Sequence, residues 1–167
     1  SGRPDRVRLR RWMQQPTASV CTGRIRRVEP SLALGVLIDR SGSMTTRIEV
    51  AKRFAAVVSE ASRGVRGIAG FVAAFDHRTF FDLGDLRGDV AIASLTAGGG
   101  NNDAGGLTRT AERLRMVPGS RRVIVLISDG EPTECTVAAF HHAADRIERD
   151  GIRIVHVAIA ALRADVV

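Results

Sequence analysis

Three polar segments of this 167-residue chain hold most of the side chains whose types and spacing suit chemistry. The first reads Asp39-Arg40-Ser41-Gly42-Ser43: one carboxylate and two hydroxyls at alternate positions, with Gly42 permitting a sharp turn. The second, Thr96 to Asp103, is rich in glycine and carries Asn101 and Asp103. The third offers Asp129 directly after an apolar run, followed by Gly130, Glu131 and Pro132. A cluster of hard oxygen donors without thiolate or imidazole selects Mg2+, with Mn2+ or Ca2+ as alternatives. A plainer reading has Ser41 or Ser43 capping a helix and Asp39 satisfying loop amides. That reading accounts for each residue singly and not for their convergence.

Other chemistries find less support. The glycine-rich stretch lacks G-K-[S/T] and follows no clear strand, which argues against a nucleotide P-loop and against dinucleotide binding. Asp39 lacks the second carboxylate of a D-x-D phosphohydrolase, and no G-x-S-x-G elbow is present. His141 and His142 are adjacent on a helical stretch and point in different directions; His77 falls in a turn and His156 in a strand. Cys21 and Cys135 are the only cysteines and neither belongs to a C-x-x-C pair, so a structural zinc site of the usual spacing is excluded. No nucleophile pairs with a base, so the chain is not expected to be an enzyme; a metal hydrolase using the same oxygens is the minor alternative.

These segments need a scaffold that gathers them. Leu32 to Ile38 is a short apolar run of the kind buried on both faces of a sheet, and Ile68 to Phe75 and Arg122 to Ser128 repeat it. Between the first two, Thr46 to Arg63 places Ile48, Ala51, Ala55, Val58 and Ala61 at helical spacing. Asp76-His77 reads as a tight turn into Thr79-Phe80-Phe81, an antiparallel edge partner. Ala104 to Arg115, weakened by Gly105 and Gly106, and Thr136 to Asp150 read as helices, and Ile152 to Ile159 as a last strand. Strands alternating with helices predict an α/β, Rossmann-like, doubly wound fold: a mostly parallel central sheet with one antiparallel edge strand and helices on both faces. In such sheets functional groups gather beyond the carboxyl ends of the strands, where all three polar segments fall.

Charge is distributed unevenly. Of the net +7, residues 1–30 carry +6, from eight arginines against Asp5 and Glu29. We therefore divide the chain into a basic N-terminal arm, 1–30, with a possible short strand between Ser19 and Val28, and a nearly neutral domain, 31–167. An Arg-rich arm suits nucleic acid or an acidic protein surface, or is simply solvated; Trp12 is its one aromatic, where single-strand binders usually offer several stacking rings. No apolar run is long enough to span a membrane, and none follows the basic N-terminus as a secretory signal would. A cytoplasmic setting is expected.

Asp39-x-Ser41-x-Ser43, preceded by an apolar strand and followed by Met44, resembles the metal-ion-dependent adhesion site of von Willebrand factor A domains. Ser128-Asp129-Gly130-Glu131-Pro132 is similar to that family's S-D-G-x-P at the end of the fourth strand. The resemblance covers roughly residues 32–160. It implies that Ser41 and Ser43 bind the metal through hydroxyls, that Asp39 and Asp129 act through bound water, and that Arg40, Met44 and Glu131 form a partner-binding rim. The second segment departs from the family: its threonine, six positions before a leucine, is replaced by Asn101, with Asp103 two residues on. That N-x-D is similar to a stretch in the von Willebrand A-type subunit of aerobic cobalt chelatases, although Ala104-Gly105-Gly106 differs from it. Either Asn101 or Asp103 takes the threonine's place.

The function these features imply is a non-catalytic, metal-dependent interaction module. It would grip an Asp or Glu of a partner protein, in the manner of adaptors that work with AAA+ ATPases of chelatase or chaperone type. Nucleic-acid binding through the arm and a secreted adhesion domain are the alternatives.

Overall fold

The computed structural model describes residues 31–130 and 135–159. The basic arm, the strand expected within it and Glu131 lie outside the described residues. Five strands form one sheet in the order β3-β2-β1-β4-β5: β1 Leu32–Asp39, β2 Ile68–Phe75, β3 Phe80–Asp85, β4 Arg121–Ser128 and β5 Ile152–Ala158. All neighbours run parallel except β2 and β3, which are antiparallel through the short turn at Asp76–Thr79. Among the described residues no helix is long and apolar enough to cross a membrane.

The central position of β1 follows from its composition. Leu34, Val36 and Ile38 enter one half of the core, while Ala33 and Leu37 enter the other. A strand apolar on both sides is stable only with layers on both sides. The first layer is α1, Ile48–Arg63, reached through a 3-10 turn at Gly42–Thr46, together with the segment around Leu86, Ile92 and Leu95. The second is α2, Asp103–Met116, and α3, Val137–Arg149, which set Leu107, Ala111, Leu114 and Ile147 against Phe71, Phe75, Ile124 and Leu126.

Two local features differ from the sequence expectation. The buried stripe of α1 runs Ile48, Ala51, Ala55, Ser59, Ser62, while Ala61 is exposed. The helical period carries the stripe onto two serines, and Ser62 Oγ returns its hydrogen bond to Val58 O at 2.7 Å. Gly106 does not weaken α2 so much as allow its docking: a Cβ there would stand 2.7 Å from Phe75 Cγ. Only glycine lets the helix approach β2 this closely.

Candidate metal centre

The parallel pairing of β1 with β4 brings the candidate carboxylates together. Ile38 lies opposite Ile127, so Asp39 and Ser128-Asp129 leave the sheet side by side. The second segment, separated from both in sequence, is tied onto the first by backbone hydrogen bonds. Gly42 N donates to Gly99 O (2.8 Å) and Gly98 N to Arg40 O (2.6 Å). Asn102 then caps α2, its side chain accepting from Gly105 N at 3.0 Å, which fixes Asn101 just before the helix and Asp103 as its first residue.

The result is a buried polar cluster. Asp39 and Asn101 are fully buried, and Asp103 is 3% exposed. Asp39 Oδ1 accepts from Ser41 N at 2.7 Å, and Asp39 Oδ2 accepts from Asn101 Nδ2 at 2.9 Å. Ser41 Oγ and Ser43 Oγ lie 3.0 Å apart, with Ser43 at the exposed mouth. Ser41 precedes the 3-10 turn yet makes no side-chain cap bond, so its hydroxyl is not used as a helix cap. Asp39 does satisfy a loop amide, as the plainer reading had it. The side chain of Asp129 is 2% exposed, and its Oδ2 meets Arg47 Nη1 at 2.8 Å.

Three carboxylates in one buried place repel one another and lose hydration. Burial pushes Asp39 up to about 6 against the opposing Ser41 hydrogen bonds, and the charge of Asp129 adds to the rise. Burial, then the charge of Asp39, pushes Asp103 up to about 7, opposed by Asn101 and reinforced by Asp129. Among the described residues no hydrogen-bond partner reaches Asp103 Oδ1, a buried atom.

Counting only imidazole, thiolate and carboxylate groups, no three converge as a metal site among the described residues. A cation held here would need the Ser41 and Ser43 hydroxyls as well. The donor chemistry fits a hard ion: oxygen atoms only, a surplus of buried negative charge, and a buried carboxylate oxygen without a donor.

Of the predicted site residues, the fold gathers Asp39, Ser41, Ser43, Asn101, Asp103 and Asp129. Two rim residues are corrected. Met44 is fully buried, because the 3-10 turn rotates it into the core around Ile48 and Ile92. Arg40 is a strut: Nε donates to Thr96 O (2.8 Å), Nη1 pairs with Asp76 Oδ2 (3.1 Å), and the guanidinium lies 4.7 Å from the Phe81 ring centroid. Arg47 is a site residue that spacing did not reveal. Its one sequence signal was a basic side chain just before α1, on the side of the turn that carries Asp39. His156 supports the site from the next strand, its Nε2 lying 2.8 Å from Ser128 Oγ, which in turn accepts from Gly130 N. Partial burial lowers the His156 pKa from its ordinary value.

A family model described as von Willebrand factor type A domain matches residues 34–131. No curated protein matches the sequence. Among solved structures, the von Willebrand factor type A protein from Catenulispora acidiphila is 19% identical with a TM-score of 0.63, covering 78% of this chain and 33% of that one. An aerotolerance-related membrane protein from Bacteroides fragilis is 22% identical at 0.58, covering 77% and 67%. Proximal thread matrix protein 1 from the mussel byssus, described with a zinc-occupied MIDAS motif, is 17% identical at 0.58, covering 82% and 38%. Likeness at these identities shows the fold. The chain spans 23% and 44% of two pilus tip protein structures that it also matches.

Proposed function

The chain belongs to the von Willebrand factor type A family, and from that premise we propose that it is a non-catalytic interaction module that grips an acidic residue of a partner protein through a divalent cation. Domains of this family commonly serve protein interaction and adhesion. The observation that carries the metal reading is the buried Asp39–Asp103–Asp129 cluster with an undonated oxygen on Asp103, beside the hydroxyls of Ser41 and Ser43.

In this reading Ser41 and Ser43 bring neutral oxygens, Asp39 and Asp129 balance charge from behind, and Asp103 takes the place of the family threonine. Asp103 is favoured over Asn101 because its oxygen is anionic and a hard divalent ion prefers a carboxylate to an amide oxygen, while Asn101 Nδ2 serves as a donor to Asp39. When bound, the cation would supply an electron-poor position for a carboxylate from outside. Serine hydroxyls favour that role, since they leave the ion's charge less neutralised than further carboxylates would. Asn101 and Ser41 N–H hold Asp39 in orientation, and Arg47 holds Asp129. Mg2+ is the ion we favour; Mn2+ and Ca2+ suit the same oxygens. The zinc described in the mussel protein makes Zn2+ worth including in a titration.

The N-x-D of the second segment supports a narrower setting, a cytoplasmic adaptor working with an AAA+ ATPase of chelatase or chaperone type. The test is capture of candidate AAA+ ATPases by the immobilised chain in Mg2+, in EDTA, and with Asp39→Ala. Capture that needs both Mg2+ and Asp39 is expected. Equal capture in all three removes the metal-dependent reading.

A further inference from the structure

Beside the acidic cluster, the turn between β2 and β3 and the first turns of α2 enclose a concavity of about 90 Å³. Its floor is aromatic, from the buried Phe75 and half-buried Phe80; its walls include His77, Arg78, Asn102 and Arg109. The turn is rigidly tied to the second segment: His77 N donates to Gly100 O, and His77 Nδ1 accepts from Gly100 N, both at 3.0 Å. Asp76, the one acidic group in the lining, is already occupied. Its Oδ1 accepts from Arg78 N and Thr79 N, and its Oδ2 pairs with Arg40. Burial alone would raise its pKa, but those amides and Arg40 outweigh it and hold the carboxyl below its ordinary value.

The arginines divide into two sets. Arg40 and Arg47 are spent on Asp76 and Asp129. Arg78 and Arg109 are exposed, line the concavity, and have no carboxylate partner among the described residues. Two guanidinium groups over an apolar floor recognise a carboxylate carried on a short aliphatic stem.

We propose that this concavity is a second anion subsite, which takes a neighbouring Glu or Asp of the same acidic partner segment whose first carboxylate faces the Asp39 cluster. The proposal deepens the interaction reading by specifying its partner: a protein segment with at least two acidic residues close together. Arg109 lies six residues along α2 from Asp103, about 9 Å at the helical rise. An extended segment covers that span in roughly three residues. A nucleic acid fits less well, because a phosphodiester brings no aliphatic stem for the apolar floor, and the buried Phe75 offers no open ring face on which a base could stack.

The test is fluorescence anisotropy of a labelled hexaglutamate peptide with the full chain in Mg2+ at low salt. The double variant R78Q/R109Q should weaken binding by about tenfold or more, while Arg153→Gln on exposed β5 leaves it unchanged. Both target arginines are exposed, so the melting temperature of the double variant should match that of the parent. Binding that R78Q/R109Q leaves unchanged overturns the subsite, as does no peptide binding at all. So does tighter, R78Q/R109Q-sensitive binding of oligothymidylate. The EDTA arm separates the two readings. Peptide binding that survives EDTA but is lost in R78Q/R109Q removes the metal grip and keeps the subsite. Binding lost in EDTA but indifferent to R78Q/R109Q does the reverse.

Discussion

Arg47 Nη1 lies 2.8 Å from Asp129 Oδ2, an ion pair that joins two loops 82 residues apart in sequence. The guanidinium is three-quarters covered and the carboxylate almost wholly so, so the pair works in a weakly screened setting. Arg47 thus acts as a fixed positive charge at the edge of a cluster with three negative ones.

From this the Arg47→Gln variant should show two opposite effects. Without metal, Asp129 loses its counter-charge and the fold loses about 2 kcal/mol. With metal, a competing charge has gone, and Mn2+ affinity by isothermal titration should rise several-fold. Thermal melts in EDTA and in Mn2+ check both signs; equal destabilisation in the two buffers would contradict the electrostatic account.

The pH dependence of the metal-free chain has a defined sign. Asp39 and Asp103 titrate at about 6 and about 7, above their ordinary 3.8, so the folded state holds these protons more tightly than the unfolded chain does. Stability should therefore fall as pH rises from about 4 to about 7, which is the reverse of a paired carboxylate. Asp76 and Asp82 have lowered pKa values and cost stability only below their ordinary range, so they do not mask this window. Chemical denaturation in EDTA across that range measures the slope, and saturating Mg2+ should flatten or reverse it.

Asp103→Asn tests the same charge directly. It removes a buried carboxylate that faces Asp39, so the metal-free melting temperature should rise. Divalent affinity should fall by about tenfold or more, since a charged ligand becomes neutral. Asn101→Ala should behave differently, because Asp39 Oδ2 loses its donor and stability drops by about 1–3 kcal/mol.

Gly106→Ala should destabilise by about 1–3 kcal/mol, because its methyl group would press on the Phe75 ring, a buried side chain with little room to move. Phe75 O accepts from Arg40 N at 3.0 Å, so the strain lies one hydrogen bond from the first polar segment. Melting temperature and Mn2+ affinity should decline together; a variant as stable as the parent would mean the helix can withdraw freely.

Much of the scaffold was legible because its strands are buried on both faces. Leu32 to Ile38, Ile68 to Phe75 and Arg122 to Ser128 have no polar side to confuse the reading, and the structure extends or copies them within a residue. The antiparallel strand was marked by the Asp76-His77 turn. The carboxylates could be placed together because parallel strands end on the same side. What resisted was anything set by orientation. Met44 follows the hydroxyl motif directly, but a 3-10 turn sends it inward. The arginine at 40 sits between two site residues and looks outward in sequence, yet Phe81 and Asp76 capture it. The pairing of Arg47 with Asp129 is a long-range contact that no local pattern announces.

The reciprocal hydrogen bonds between His77 and Gly100 have a kinetic consequence. A recognition surface assembled from separate loops usually spends part of its binding energy on ordering them. Here the hairpin turn and the glycine-rich loop are clasped before any partner arrives. Encounter should then be governed by diffusion and charge steering, with a forward rate that depends on ionic strength and hardly on viscosity-limited loop closure. Differences in affinity between partners would be written in how long they stay.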